Sequence, residues 1–168
     1  MMISAQQLID KYELLAHPEG GWYKETYKSN EMIAQSALPK RFSGDRFFST
    51  AIYFLLEKGN FSAFHRIKSD ECWHFYMGDP LTIYIFEPNG QYKEVLLGSN
   101  IEKGELFQYV VPANSWFASR PAANGNYSFV GCTVAPGFDF DDFELTDAAP
   151  LINQHPYYAD LITSLTRS

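Results

Sequence analysis

Apolar residues near the start of the chain recur at helical spacing, with Leu8, Ile9, Tyr12 and Leu15 on one face. Ser4 precedes them and Gln7 follows three residues later, the signature of a capping box, so a helix opens at Ser4. His17-Pro18-Glu19-Gly20-Gly21 ends it, because Pro lacks a backbone donor and the paired Gly residues tolerate positive φ. From Trp22 the grammar changes. Aromatic and β-branched runs at 22–27, 46–57, 61–67, 71–77, 81–87, 92–97, 106–111, 116–119 and 127–134 predict strands. Turn residues such as Lys58-Gly59-Asn60, Gly78-Asp79-Pro80 and Pro88-Asn89-Gly90 separate them. Residues 30–45 are polar, with Pro39 and Gly44, and read as a loop. Beyond Pro136-Gly137 an acidic stretch at 139–147 leads to a C-terminal helical segment, with Pro156 near its start and Leu161, Ile162 and Leu165 on one face. Strands recurring every roughly 8–15 residues predict an all-β sandwich or barrel of about ten strands, with short helices at both termini.

The chain has 168 residues, enough for a single domain over residues 1–168. An apolar fraction of 46% argues against disorder. Aromatic residues make up 17%, which suits pleated, half-buried surfaces and the walls of a ligand pocket. The net charge of −7 is uneven, with five acidic residues between Asp139 and Asp147. No basic footprint of the kind that binds nucleic acid or an anionic membrane surface is visible. No apolar run approaches the roughly 20 residues of a membrane span, and no basic stretch followed by an apolar one marks a signal peptide. A cytoplasmic protein is the expectation. Cys72 and Cys132 stand far apart in strand-like runs without a CxxC spacing, so they read as buried, reduced thiols.

Within Gly59-Asn-Phe-Ser-Ala-Phe-His65-Arg-Ile67-Lys-Ser-Asp-Glu71, residues two apart share a strand face, so His65 and Ile67 point the same way. The short turn at Lys68-Ser69-Asp70 returns Glu71 on the neighbouring strand. One imidazole and one carboxylate then face each other across a cavity. With Gly78 six residues further on, this segment resembles the first cupin motif, G-x5-H-x-H-x3-E-x6-G. Val111-Pro112-Ala113-Asn114-Ser115-Trp116-Phe117 resembles the second, with Asn114 in place of the usual Gly and Phe117 in place of the usual His. Three longer segments are similar to the hallmarks of an uncharacterised single-domain cupin branch. These are His17-Pro-Glu-Gly-Gly-Trp-Tyr23, Asp70-Glu-Cys-Trp-His-Phe-Tyr-Met-Gly-Asp-Pro-Leu81 and Val134-Ala-Pro-Gly-Phe-Asp-Phe-Asp-Asp-Phe143.

That resemblance implies a double-stranded β-helix, or jelly roll, that is usually a homodimer, with distant similarity to deoxysugar-nucleotide epimerases and no established reaction. Of the four ligand positions in metal-binding cupins, this chain keeps His65 and Glu71 and carries Ile67 and Phe117 at the others. Two ligands are too few for a firmly held metal, so no metal or other cofactor is expected. The alternative is a weak divalent metal on His65 and Glu71 with borrowed ligands.

The expected chemistry is proton transfer. His65 can take and give a proton near neutral pH. Glu71, among Cys72, Trp73 and Phe75, is costly to bury and so tends toward a raised pKa, unless it pairs with Arg46 or Arg66. Tyr84 is a candidate phenol acid opposite the base. Tyr53, a second phenol, joins Trp73, Phe75, Trp116 and Phe117 as candidate ligand contacts. His74 has the opposite parity to Glu71 and is expected outside the cavity. The acidic stretch reads as a solvated loop. The resulting expectation is a cupin that handles a small molecule, with metal-free acid–base chemistry of epimerase, isomerase or lyase type on a sugar-like or carbonyl compound. A non-catalytic ligand-binding or sensing cupin, or a weak divalent-metal enzyme, is the alternative.

Overall fold

Alternation along the strands sorts the apolar residues into three layers, and those layers define the architecture. The computed structural model describes residues 3–123 and 125–167. The strands are β1 (Leu15–Ala16), β2 (Trp22–Lys28), β3 (Met32–Ile33), β4 (Arg46–Phe47), β5 (Thr50–Glu57), β6 (Ser62–Arg66) and β7 (Asp70–Gly78). They continue as β8 (Leu81–Phe86), β9 (Tyr92–Leu97), β10 (Gln108–Val111), β11 (Trp116–Pro121), β12 (Tyr127–Ala135) and β13 (Glu144–Leu145). Helix α1 (Ala5–Tyr12) precedes them, and α2 (Ala148–Gln154) and α3 (Ala159–Ser164) follow.

Two antiparallel sheets face each other, in the orders β1-β2-β5-β12-β7-β10 and β13-β6-β11-β8-β9, and β3 and β4 form a small ribbon. This is the jelly roll expected. Between the sheets, Phe54 and Leu56 of β5, Trp73 of β7, Ile83 and Ile85 of β8 and Phe117 of β11 form the inner core. On the far side of the second sheet, Phe64, Tyr84 and Phe86 pack under Leu151, Ile162 and Leu165 of the C-terminal helices. On the far side of the first, Leu55 and Phe129 pack under Leu8 and Ile9 of α1. Each fully buried side chain of this size contributes roughly 1.5–3 kcal/mol to folding.

The helix begins as its sequence signals require. The Gln7 N–H donates to Ser4 Oγ at 3.2 Å, and the Ser4 N–H donates to Gln7 Oε1 at 2.9 Å. It ends a turn earlier than the apolar spacing predicts. Glu13 adopts left-handed geometry at φ 53° and breaks the helix. Leu14 takes the buried place instead, and Leu15 is left 61% exposed on β1. The predicted strand 46–57 is divided at Phe48-Ser49, and the predicted loop 30–45 contains β3, which pairs with β4. The acidic stretch is not simply a solvated loop. Asp142 is buried, bonded at 2.6 Å by both Nε and Nη2 of Arg46 and approached at 3.0 Å by Lys68 Nζ. Among the described residues, no helix is long and apolar enough to cross a membrane.

Candidate acid–base site in the barrel cavity

The site begins at β6, where Ala63, His65 and then Ile67 turn inward while Phe64 turns outward. His65 is buried. Its Nδ1 lies 2.7 Å from the carbonyl oxygen of Ala63. A carbonyl can only accept, so this contact assigns the ring proton to Nδ1 and leaves Nε2 with a bare lone pair in the neutral ring. Facing that lone pair, 3.1 Å away, is Oε2 of Glu19.

Glu19 comes from the turn between β1 and β2. Its other oxygen, Oε1, accepts from Ser62 Oγ at 2.7 Å. His17 Nδ1 accepts the Glu19 backbone N–H at 3.3 Å and lies 3.6 Å from Oε2. The turn is fastened from the far end of the chain. Arg167 donates through Nε to the Glu19 carbonyl at 3.2 Å and through Nη2 to the Phe61 carbonyl at 2.8 Å. Gly20, at φ 113°, sits against that guanidinium and the Phe61 carbonyl, where a Cβ has no room.

Burial sets the protonation of this cluster. It pushes the Glu19 carboxyl above its ordinary range and holds the His65 and His17 imidazoles below theirs. Burial thus disfavours a separated ion pair here and favours one proton shared between Glu19 Oε2 and His65 Nε2. Glu71, the first inward residue of β7, is also buried, and burial raises its pKa to about 7. Repulsion from Glu19 adds to that rise, while attraction from His65 opposes it. The Cys132 thiol and Trp73 indole beside it also favour its anion. The indole N–H of Trp73 nonetheless completes no hydrogen bond among the described residues. Neither cation considered as a partner for Glu71 takes that role: Arg46 is committed to Asp142, and Arg66 bonds Glu144 at 2.8 Å.

These groups line a cavity of about 240 Å³. Ile52, Phe54, Ile67 and Val134 supply apolar walls. Phe138, Phe140 and Phe143 cover it from the segment after β12, and Phe140 and Tyr23 flank His17 with ring centroids at 6.2 and 4.7 Å. The Arg46–Asp142 pair anchors this aromatic segment to β4.

The structure brings only part of the expected set together. His65, Glu71 and Trp73 line the cavity. Phe117 lies behind His65, with ring centroids 4.1 Å apart, and supports the imidazole without reaching the cavity wall. Phe75 packs on the inner core further along β7 and also misses the wall. Tyr84, Tyr53 and Trp116 are corrections of another kind, because strand parity puts all three on outer faces. Tyr84 packs beneath the C-terminal helices, its hydroxyl oxygen accepting from Arg120 Nε at 3.1 Å. Tyr53 joins Tyr12, Tyr76 and Phe129 outside the first sheet. Trp116 lies under the Arg66 guanidinium, 4.5 Å from its ring centroid. His74 faces outward as parity requires, with Nε2 3.1 Å from Thr133 Oγ1.

Sequence reasoning missed Glu19, His17, Cys132, Tyr23 and the three Phe residues of the cover. The available signal was the hallmark segments themselves: residues 17–23, 70–81 and 134–143 converge on this one cavity.

The donor set does not fit the metal of metal-binding cupins. Ile67 and Phe117 offer only carbon at two ligand positions, and Glu19 occupies the free lone pair of His65. Among the described residues, no three His, Cys, Asp or Glu side chains are arranged to hold an ion.

Comparison with known proteins accords with this architecture. The family profile described as Cupin superfamily (DUF985) matches residues 6–146. Uncharacterized protein YML079W of Saccharomyces cerevisiae is 32% identical over 148 residues, covering 83% of this chain and 73% of the relative. The crystal structure of protein SO0799 from Shewanella oneidensis superposes with a TM-score of 0.88 at 38% identity, covering 99% of both chains. A hypothetical protein from Leishmania major superposes with a TM-score of 0.89 at 34% identity, covering 99% of this chain and 100% of the other.

Proposed function

As the chain belongs to the DUF985 family of the cupin superfamily, we propose that its barrel cavity is an acid–base active site for a small carbonyl compound. The observation that supports this reading most directly is the pairing of His65 Nε2 with Glu19 Oε2 at 3.1 Å beside a carboxyl, Glu71, whose pKa lies near 7. A general base works best when its pKa is close to the working pH. Two titrating units with different environments supply a base and an acid in one pocket.

The step is a proton transfer at carbon. Ionised Glu71 takes the proton from the C–H next to the substrate carbonyl. The electron pair moves to the carbonyl oxygen, which receives the proton shared by Glu19 and His65. Return of a proton to the original carbon from either face gives exchange or epimerisation. Return to the neighbouring carbon gives isomerisation, and loss of a β-substituent gives a lyase outcome. In this reading no step is routed through a metal. Phe138, Phe140 and Phe143 add apolar surface to the lining, and a less polar surrounding strengthens electrostatic contacts inside.

The test is hydrogen exchange. The protein is incubated in deuterated buffer with a panel of small aldehydes, ketones and hydroxy ketones, and loss of the α-proton is followed by NMR. Catalysed exchange that disappears in Glu71→Gln supports the proposal. Compounds that bind without exchange in the wild-type protein favour the alternative, a cupin that senses or carries its ligand.

A further inference from the structure

The charge around this cavity is one-sided. Three acidic side chains, Glu19, Glu25 and Glu71, contribute to its lining, and among the described residues no Lys or Arg side chain does. The basic residues nearby are spent elsewhere: Arg46 and Lys68 on Asp142, Arg66 on Glu144, and Arg167 on backbone carbonyls behind Glu19. A phosphate, carboxylate or sugar nucleotide entering here finds no counter-charge, and its burial beside carboxylates is heavily penalised.

What the lining offers is suited to the opposite charge. Tyr23 and Glu25 are two residues apart on β2 and both line the cavity, so an aromatic ring and an exposed carboxylate stand together on its wall. Phe140 is 54% exposed and stacks along His17 on the same side. Aromatic faces beside a carboxylate attract an organic cation. Trp73, whose buried indole N–H completes no hydrogen bond among the described residues, forms part of the same wall. The volume of about 240 Å³ falls below the roughly 300–1,000 Å³ of pockets that hold drug-sized ligands.

Taken together, the geometry points to a small amine-bearing carbonyl compound as the substrate class. Its ammonium group sits against Glu25 and the rings of Tyr23 and Phe140, and its carbonyl oxygen faces the Glu19–His65 pair. This inference rests on the acid–base reading of the same cavity, and it adds the charge of the ligand. It also departs from the nucleotide-sugar chemistry that the epimerase similarity brings to mind.

The experiment is calorimetric titration of the 168-residue chain with three probes of similar shape, benzylamine, benzyl alcohol and benzoate, at about pH 8 where the amine remains protonated. Benzylamine is expected to bind about tenfold or more tighter than benzyl alcohol, with benzoate weakest. Glu25→Gln, at an exposed strand position, is expected to narrow the amine preference about two- to fivefold while leaving benzyl alcohol binding and thermal stability unchanged. Benzoate binding as tightly as benzylamine, equal binding of amine and alcohol, or no binding by any probe each overturns the amine assignment. The exchange assay with Glu71→Gln separates that failure from failure of the acid–base reading, because it is read on uncharged carbonyl compounds.

Discussion

The Nε2 of His65 and the Oε2 of Glu19 lie 3.1 Å apart with a single proton to share. One group belongs to a strand of the second sheet and the other to a Gly-containing turn entering the first. The pair joins the two halves of the barrel at the point where the cavity is most polar. The role of each nitrogen is fixed as well, since the Nδ1–H already donates to the Ala63 carbonyl.

His65 is expected to stay neutral at pH values where an exposed histidine is half charged, because burial lowers its pKa. Nitrogen-15 NMR of the imidazole should show the Nδ1–H tautomer at about pH 6. In Glu19→Gln the amide can still donate to Nε2, so the tautomer should persist. Observation of a doubly protonated His65 at that pH in the wild-type protein contradicts the assignment.

Glu71 makes the stability of the protein depend on pH in a defined direction. Its folded pKa of about 7 lies above the ordinary 4.5, so the folded state binds the extra proton between those values. Stability contributed by protonated Glu71 is fully present below pH 4.5 and is lost as pH rises through 7. The loss amounts to about 3 kcal/mol at most. Glu71→Gln should be the more stable protein at pH 8 and should flatten this part of the profile; denaturant midpoints across the range test it. An unchanged profile in the variant shows that Glu71 is not the group responsible.

Asp142 behaves oppositely. Although burial alone would raise its pKa, hydrogen bonds from Arg46 and Lys68 lower it. Its contribution is present above the unfolded carboxylate range and lost in acid. With Arg46 and Asp142 side chains only 4% and 3% exposed, Arg46→Ala leaves a buried carboxylate poorly compensated. The expected cost is about 3–5 kcal/mol by chemical denaturation, with increased proteolysis near residues 138–143, the segment the pair anchors. A cost below about 1 kcal/mol means the pair behaves as a solvated surface bridge.

Gly20 and Gly59 both have positive φ, at 113° and 80°, yet their surroundings differ. Nothing lies within 4 Å of a Cβ built on Gly59, so Gly59→Ala should cost only the left-handed backbone penalty of about 1 kcal/mol. Gly20→Ala should cost more, because the methyl strikes the Phe61 carbonyl and the Arg167 guanidinium. It should also displace Glu19. Equal melting temperatures for the two variants defeat this account.

At the β10 edge of the first sheet, Tyr76 and Val110 lie on the outer face, 48% and 46% exposed, and Phe107 beside them is 57% exposed. An apolar edge of this kind invites pairing with a second copy. Light scattering should give twice the chain mass of 19.2 kDa, and Val110→Lys should shift the protein toward monomer. A wild-type mass equal to one chain removes the homodimer from the account.

Alternation and turn residues made most of the strands legible, since period-2 burial with Gly and Pro punctuation has few other solutions. The capping box at Ser4 was legible for the same local reason. His65 and Glu71 were legible because motif spacing and strand parity agree on their direction. Tyr84 and Tyr53 misled because chemistry was weighed there without parity: each has an inward neighbour, Ile83 or Ile85 and Ile52 or Phe54, and so must itself face out. Glu19 was hidden for a different reason. Its partners, Ser62, His65 and Arg167, are distant in sequence, and a residue in a turn has no periodicity to show where it points. The stretch 139–147 looked like a solvated loop because charge density is visible in sequence, whereas the Arg46 that buries Asp142 is a tertiary fact.

The middle of the first sheet is occupied late. Strand β12 pairs with β5 on one side and β7 on the other, along registers of eight residues each. A ribosome that has released β5 and β7 but not residues 127–135 has therefore delivered two aromatic strands with no neighbour between them. During that interval the edges of β5 and β7 that β12 later takes are unpaired, and an extended apolar peptide can compete for them. The barrel's dependence on a late central strand makes its yield in the cell a question of translation speed and chaperone supply as much as of final stability.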